Sequence, residues 1–303
     1  MKPPSSRTAP ATLAPEIRPG QSVELLKELH ILTREGKLNQ DSRRKLKQVY
    51  HLYQFIEKLL LELPGAGAHA TLADHGAGKS YLGFILYDLF FKTQHESAAN
   101  PPDKTGQIYG IETRPELVEK SQALAKRLGF GRMRFLNLSV AQAALSTELP
   151  ATIDIVTALH ACDTATDDAL AFGLQKQAKF MVLVPCCQAE VARALAGRKA
   201  LNLARMPLAE LWRHPLHTRE LGSQLTNVLR CLYLEACGYQ VTVTELVGWE
   251  HSLKNELIIA RRIERPSGRQ QQAAAERLAA LLTEFGLQAM LQSRFKIPAP
   301  ATS

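Results

Sequence analysis

The spacing of hydrophobic and polar positions changes near residue 70 of this 303-residue chain. Between residues 22 and 63, apolar residues recur at helical spacing, which predicts two or three helices. From residue 70 onward, short apolar runs alternate with longer segments of helical period, and this alternation is typical of βαβ units in a parallel sheet. The predicted strands cover residues 70–74, 107–112, 133–137, 153–159 and 179–185.

Segments 80–92, 115–129 and 165–173 suit the helices that cross between these strands. Because such crossovers are right-handed, the pattern predicts a doubly wound sheet with ligands bound outside the carboxyl ends of its strands. Two alternating runs, 240–247 and 256–262, follow and should pair as an antiparallel hairpin. The predicted fold class is therefore α/β, with a mostly parallel, Rossmann-like sheet that ends in a hairpin and a small helical N-terminal region.

The sequence predicts a division of the chain into four regions. Residues 1–21, rich in Pro, Ala and Ser, are expected to be a disordered lead, and residues 22–66 a basic helical region. The main domain should span 67–265, with a basic, irregular substrate-side insertion at about 193–223 and a helix at 223–237. Residues 266–303 should form a C-terminal helix, at 269–286, and a loose tail.

Composition agrees with a folded chain, and its basic charge is compatible with a nucleic-acid partner without establishing one. Hydrophobic residues make up 46 % and charged residues 22 %, and 37 Lys and Arg against 29 Asp and Glu give a net charge of +8. The longest apolar stretch, 81–91, is too short to span a bilayer, so we expect no membrane partner. Five cysteines, two of them adjacent, favour a reducing compartment, and we expect a cytoplasmic protein.

A glycine-rich turn follows the first predicted strand and allows two interpretations. In the first, Gly76 and Gly78 let the backbone approach an adenosyl ligand, and Asp74 accepts hydrogen bonds around the loop. Glu112, which ends the second strand, would hold the ribose hydroxyls. In the second, residues 73–80 form a phosphate loop in which Lys79 contacts phosphates and Ser80 binds magnesium. The first interpretation is favoured because residue 73 is Ala, and no later strand ends in an Asp suited to magnesium.

Polar residues also follow the fourth and fifth strands. His160, Cys162 and Asp163 come after one strand, and Cys186 and Cys187 after the next, so the sheet should bring them together. His160 and Asp163 are candidates for positioning an acceptor or removing its proton. The cysteines have three interpretations: a thiolate nucleophile, zinc ligands together with His160, or packing at the switch point.

Several motifs together resemble the methyltransferase-domain family that includes eukaryotic methyltransferase-like proteins related to the tRNA ribose methyltransferases with a Pro-Cys-Cys motif. The matching pieces lie between about residues 70 and 262. They are Asp74-His-Gly-Ala-Gly-Lys-Ser-Tyr-Leu82, Gly110-Ile-Glu112, Ala158-Leu-His-Ala-Cys-Asp-Thr-Ala-Thr-Asp-Asp168, Pro185-Cys-Cys187 and Lys254-Asn-Glu-Leu-Ile258. The resemblance implies a class I fold, S-adenosyl-L-methionine as methyl donor and a site around these positions. Two departures are Ser80 at the loop's third glycine and Gln188 where some relatives have His.

These observations predict an S-adenosylmethionine-dependent methyltransferase. Asp74, Gly76 and Gly78 should contact the amino-acid end of the cofactor, Glu112 its ribose, and Asn137, at the end of the third strand, its adenine. The expected acceptor is RNA (tRNA or rRNA), from the charge, from the basic stretches 34–47 and 193–219, and from the resemblance; no DNA partner is expected. The alternatives are a protein or small-molecule methyltransferase on the same fold, and an ATP-binding protein that uses residues 73–80.

Overall fold

One seven-stranded sheet organises the computed structural model, which describes residues 15–92, 106–159, 164–185, 189–197, 207–246 and 256–297. The strands are β1 (Thr71–His75), β2 (Gln107–Glu112), β3 (Met133–Asn137), β4 (Ile155–Leu159), β5 (Phe180–Val184), β6 (Tyr239–Glu245) and β7 (Glu256–Arg262). Their order across the sheet is β3-β2-β1-β4-β5-β7-β6.

The strand directions confirm the predicted fold class. Strands β1 to β5 pair in parallel, whereas β7 runs antiparallel to both β5 and β6. The chain builds outward from β1 to β2 and β3, then returns to place β4 on the other side of β1. The point where the strand order reverses therefore lies between β1 and β4, where open α/β sheets bind their ligands.

Helices cover both faces of the sheet. They are α1 (Val23–Glu28), α2 (Gln40–Glu62), α3 (Tyr81–Leu86), α4 (Pro115–Arg127), α5 (Val140–Leu145), α6 (Ala165–Gln175), α7 (Glu190–Gly197), α8 (Pro215–Ala236), α9 (Gly268–Glu284) and α10 (Ala289–Ser293). A π-helical segment, Tyr87–Lys92, continues α3, and short 3₁₀ turns lie at Pro64–Gly67 and Pro207–Trp212. Local signals begin several of these helices: the Asn39 side chain caps α2, and a proline opens both α4 and α8.

The N-terminal helices share an apolar cluster with the sheet. Buried residues of α1 and α2, such as Leu26 and Ile56, belong to the same cluster as Phe84 of α3 and Ile108 of β2. Residues 15–21, which fall within the predicted lead, form turns in which Ile17 and Gln21 are buried. A second cluster lies around Tyr109, Val156 and α6, and a third joins α7, α8, α9 and α10. The division of the chain into domains stays a prediction.

Two parts of the chain are more regular than the sequence predicts. The basic stretch from 193 contains the end of α7, and α8 begins at Pro215 rather than at 223. Gly222 explains the pairing of these helices, because a Cβ there would lie 2.7 Å from the backbone nitrogen of Ala192. The segment after 286, predicted to be loose, contains α10 and buries Met290 and Phe295 against α8 and α9. Among the described residues, no helix is both long and apolar enough to cross a membrane.

Candidate functional site

Asp74, near the end of β1, is a buried carboxyl group at the switch point. Its side chain is 2 % exposed, and the Thr157 hydroxyl on the neighbouring strand β4 donates a 2.8 Å hydrogen bond to its Oδ1. Burial raises the pKa of Asp74 to about 7, while the Thr157 hydrogen bond opposes that rise. Asp74 therefore anchors the start of the glycine loop to β4.

Glu112 reaches the same loop from the end of β2. The backbone N–H of Gly78 donates to Glu112 Oε2 at 2.8 Å, and the guanidinium of Arg114 donates to both carboxylate oxygens at 3.0 Å. Burial raises the pKa of Glu112, but the hydrogen bonds from Arg114 and Gly78 outweigh burial and lower the pKa to about 2. The predicted ribose acid is thus a buried anion beside the predicted loop.

The loop backbone has the geometry that glycine permits. Gly76 and Gly78 have φ angles of 65° and 56°, in the left-handed region where a side chain costs strain. Gly76 is exposed, so a ligand can approach the backbone there without meeting a Cβ. Because glycines at these two positions and a buried acid on the next strand form one cradle, the residues present fit an adenosyl ligand.

The same loop does not fit the phosphate-loop alternative. Ser80 is fully buried, so its hydroxyl is out of reach of a magnesium ion at the loop, and within the described ranges it has no hydrogen-bond partner. The Gly78 N–H, which would cradle a phosphate, is bonded to the Glu112 carboxylate. A polyphosphate would be repelled by this buried negative charge.

Asn137 ends β3 directly beside Glu112. The two residues are register partners, and the Asn137 side-chain amide donates to the Glu112 backbone carbonyl at 3.0 Å. Asn137 is exposed, and its Oδ1 has no partner in the described part of the chain. The structure therefore brings Asp74, the glycine loop, Glu112 and Asn137 to one edge of the sheet.

Three further residues at this edge are not predicted from the sequence. Thr157 and Arg114 contact Asp74 and Glu112, and His75 ends β1. His75 is 5 % exposed, neither of its ring nitrogens has a hydrogen-bond partner among the described residues, and the ring contacts Phe172 with centroids 5.7 Å apart. Burial lowers the pKa of His75 to about 4, so the ring is neutral. The sequence feature that could have indicated these three residues is their position as polar residues in, or just after, apolar strands.

The predicted acceptor-side residues His160, Cys162, Asp163, Cys186 and Cys187 lie outside the described residues. The strands that precede them are in contact, since Leu159, the last residue of β4, is the register partner of Val184, the last residue of β5. Within the described ranges, no group of three or more His, Cys, Asp or Glu residues is arranged to hold a metal ion.

A buried ion pair joins two helices near the same edge of the sheet. Arg230 of α8, fully buried, donates to Asp167 in the first turn of α6 at 2.6 and 3.1 Å. Arg230 also donates to Asn227, which in turn donates to Glu256 at the start of β7. This network joins α6, α8 and β7. In the sequence, α6 begins shortly after β4 and the predicted acceptor-side residues that follow it.

The two basic stretches lie at different places. The stretch 34–47 lies beside α1, since the Ser42 hydroxyl donates to the His30 carbonyl, and α1 pairs with Arg127 at the end of α4. Because α4 starts where β2 ends, its last residue lies toward the opposite edge from the site. The stretch up to 219 includes α7, which follows β5, and the start of α8.

Comparison with known proteins gives one family match. The family described as "Methyltransferase domain" matches residues 44–194, from within α2 to near the end of α7. A comparison with curated proteins gave no match.

The solved structures that match this chain have low sequence identity and low structural similarity to it. A SAM-dependent methyltransferase from Aquifex aeolicus is 18 % identical, with a TM-score of 0.40, over 75 % of this chain and 100 % of that chain. Magnesium protoporphyrin IX methyltransferase from Synechocystis, with bound SAH, is 14 % identical, with a TM-score of 0.41, over 80 % and 96 %. An rRNA methylase from Streptococcus thermophilus is 7 % identical, with a TM-score of 0.40, over 73 % and 97 %. Likenesses of this size say nothing about an acceptor.

The family match and the strand order agree with each other. The matched residues contain β1 to β5 and the glycine loop, and the sheet ends in the antiparallel hairpin expected of a class I fold. The chain therefore contains a class I methyltransferase domain, and the protein is an enzyme that uses S-adenosylmethionine as its cofactor.

Proposed function

We propose that this enzyme transfers the methyl group of S-adenosylmethionine to RNA, either tRNA or rRNA. The observation that carries the proposal is the position of α8. Arg230 pairs with Asp167 at the first turn of α6, and α8 runs down from there to β6. Since a helix rises about 1.5 Å per residue, the part of α8 before Arg230 is roughly 20 Å long and leads away from β6 toward the carboxyl edge of the sheet.

The start of α8 and the two residues before it carry basic and aromatic side chains. Arg213 and Arg219 are 67 % and 66 % exposed, and the rings of His214 and His217 meet edge to face at 5.4 Å. Cations that contact phosphates and rings that stack on bases are the elements that bind single-stranded RNA. On this proposal the α8 end, rather than stretch 34–47, contacts the acceptor beside the cofactor. The resemblance to the Pro-Cys-Cys relatives supports the same acceptor class.

The cofactor contacts follow from the loop and strand ends. The cofactor supplies an electrophilic methyl group. Asp74 and the backbone of Gly76 and Gly78 would hold its amino-acid end, Glu112 would accept from its ribose hydroxyls, and Asn137 Oδ1 would accept from its adenine amino group. The buried anionic state of Glu112 and the Oδ1 of Asn137, which no described residue contacts by a hydrogen bond, support these roles.

The acceptor chemistry is assigned to the segments that follow β4 and β5. His160 or Asp163 would take the proton of a ribose hydroxyl or base nitrogen, and transfer to a pyrimidine carbon would add a thiolate of Cys162, Cys186 or Cys187. The register pairing of Leu159 with Val184 supports placing the two segments side by side. We propose that these reactions take place in the cytoplasm.

The test is a tritiated-methyl assay on fractionated cellular RNA and protein, with nucleoside analysis of the labelled product. We expect label in RNA that is released by RNase and absent with Glu112→Gln. The double variant Arg213→Glu with Arg219→Glu should lose most transfer while still binding S-adenosylhomocysteine. The matched double variant Arg43→Glu with Arg44→Glu, on the other basic stretch, should retain it. Label found only in protein or small molecules, or equal loss in both double variants, would refute the RNA proposal.

A further inference from the structure

The carboxylate of Glu112 is already saturated with hydrogen bonds. Six donated hydrogen bonds reach its two oxygens: from the N–H of Gly78, from the N–H and hydroxyl of Thr113, and from the N–H, Nε and Nη2 of Arg114. A carboxylate offers about four lone-pair positions. Two ribose hydroxyls therefore have no acceptor position on Glu112 unless donors leave.

Oε2 accepts from the Gly78 N–H and from Arg114 Nη2, and of these two donors only the guanidinium can leave without refolding the site. The N–H groups of Gly78, Thr113 and Arg114 belong to the loop and to the chain just before α4, so the backbone fixes them. The Arg114 guanidinium sits on a long side chain that is 59 % exposed, whereas its partner Glu112 is 7 % exposed. Solvent can take over the hydrogen bonds of the guanidinium, so this group is the displaceable one.

The guanidinium also lies over the loop itself. A Cβ at Gly78 would lie 3.7 Å from Nη2 of Arg114, so the cation stands beside the loop backbone that the cofactor must approach. Resting on the proposed role of Glu112, we propose that Arg114 is an intramolecular competitor of the cofactor: its Nη2 occupies the acceptor position on Glu112 Oε2 that a ribose hydroxyl needs, and it leaves when the ribose binds.

If Arg114 competes with the cofactor, its removal should raise the affinity for the cofactor rather than lower it. Removing the Arg114 side chain leaves Glu112 Oε2 with the Gly78 N–H as its one remaining donor. Arg114→Ala should therefore bind S-adenosylhomocysteine about two- to five-fold more tightly, the range expected for a half-exposed ion pair. Salt screens the ion pair but has little effect on a zwitterionic ligand of no net charge. The wild-type affinity should therefore rise between low and high salt, and the affinity of Arg114→Ala should stay flat.

The experiment is calorimetry with S-adenosylhomocysteine at low and high ionic strength. The variants are Arg114→Ala, Glu112→Gln and, as a matched control at the other end of α4, Arg127→Ala, whose ion pairs are with α1. We expect tighter, salt-independent binding for Arg114→Ala, wild-type behaviour for Arg127→Ala, and strong weakening for Glu112→Gln. In parallel, the NMR signal of the Arg114 side-chain N–H should lose its hydrogen-bonded shift when the ligand binds.

The outcomes separate the competitor from the cofactor site. Weaker binding by Arg114→Ala, with Glu112→Gln also weak, would overturn the competitor and make Arg114 a contact or support of the cofactor. An Arg114 signal that is unchanged in the complex would overturn it as well. Binding that Glu112→Gln leaves unchanged would refute the ribose role of Glu112 and the competitor together.

Discussion

Arg230 and Asp167 form a bidentate ion pair in which neither partner is accessible to water, with side chains 1 % and 8 % exposed. The pair joins the middle of α8 to the first turn of α6. Taking two charges out of water is expensive, and the pair is stable only while both partners are present. It fixes the direction in which the end of α8 leaves the sheet.

Removing one partner should therefore destabilise the protein strongly. Asp167→Ala leaves the buried Arg230 cation without its carboxylate, and we expect a loss of about 3–5 kcal/mol in the free energy of unfolding. Urea denaturation followed by circular dichroism measures this. Glu220→Ala, which removes an exposed ion pair on the same helix, should change the free energy by less than about 1 kcal/mol. Similar small effects in both variants would contradict a buried, unsolvated pair.

The fold could be predicted from the sequence where short-range patterns determine it. The predicted strands 107–112 and 133–137 coincide with β2 and β3, because each is a short run of β-forming residues between polar segments. The short helix α7 and the first turns of α8 were not predicted, since their exposed faces carry charged residues that break the apolar period. What pairs them is the close contact of Gly222 with Ala192, which no local pattern shows.

Asp74 should make stability depend on pH. Its pKa rises from 3.8 to about 7 on folding because the carboxyl group is buried. Between these pH values, the folded protein holds a proton that the unfolded chain releases, so the free energy of unfolding falls as pH rises. Asp74→Asn lacks this proton. We expect it to be more stable than wild type at pH 8, by up to about 4 kcal/mol, with the advantage disappearing toward pH 4.

Urea denaturation of both proteins across pH 4–8 tests this expectation. Other titrating groups are common to both proteins and cancel in the difference, so the difference isolates residue 74. The Thr157 hydroxyl can still bond the amide oxygen of the variant, which keeps the contact between β1 and β4. A difference that does not vary with pH would show that Asp74 is ionised at its ordinary pKa in the folded protein.

His75 should reduce stability in the absence of bound ligands. In the part of the chain that the structure describes, neither buried ring nitrogen has a partner, and an unsatisfied polar group costs about 1–3 kcal/mol. His75→Phe, of similar size, should therefore stabilise the protein by about 1–2 kcal/mol at pH 7. Folding lowers the pKa of His75 from 6.5 to about 4, so the folded state binds fewer protons in that range. The advantage of the variant should grow as pH falls from 6.5 toward 4.

Thermal and urea unfolding at pH 7 and pH 5 measure this effect. The control is His217→Phe, at an exposed histidine on α8, which should change the free energy of unfolding by less than about 0.5 kcal/mol. A His75→Phe variant less stable than wild type would mean that the ring nitrogens make hydrogen bonds in the folded protein.

The candidate site was predictable only in part. Glu112 could be predicted because an acid directly follows an apolar run, and the glycine loop because its residues are contiguous. The partners that determine their charge states are far away in sequence: Gly78 lies 34 residues from Glu112, and Asp74 lies 83 residues from Thr157. Arg114 competes for Glu112 through side-chain geometry, which spacing alone does not show.

Gly222 allows α8 to pack closely on α7 beside the cofactor edge. A Cβ there would lie 2.7 Å from the backbone nitrogen and 2.8 Å from the Cα of Ala192, so Gly222→Ala must push the helices apart. We expect a loss of about 1–3 kcal/mol in the free energy of unfolding. Gly131→Ala, with nothing within 4 Å of its Cβ, should be nearly neutral. Because the proposed RNA contacts lie at the start of α8, Gly222→Ala should reduce methyl transfer to RNA several-fold more than it weakens S-adenosylhomocysteine binding. Equal losses in transfer and cofactor affinity would contradict that assignment.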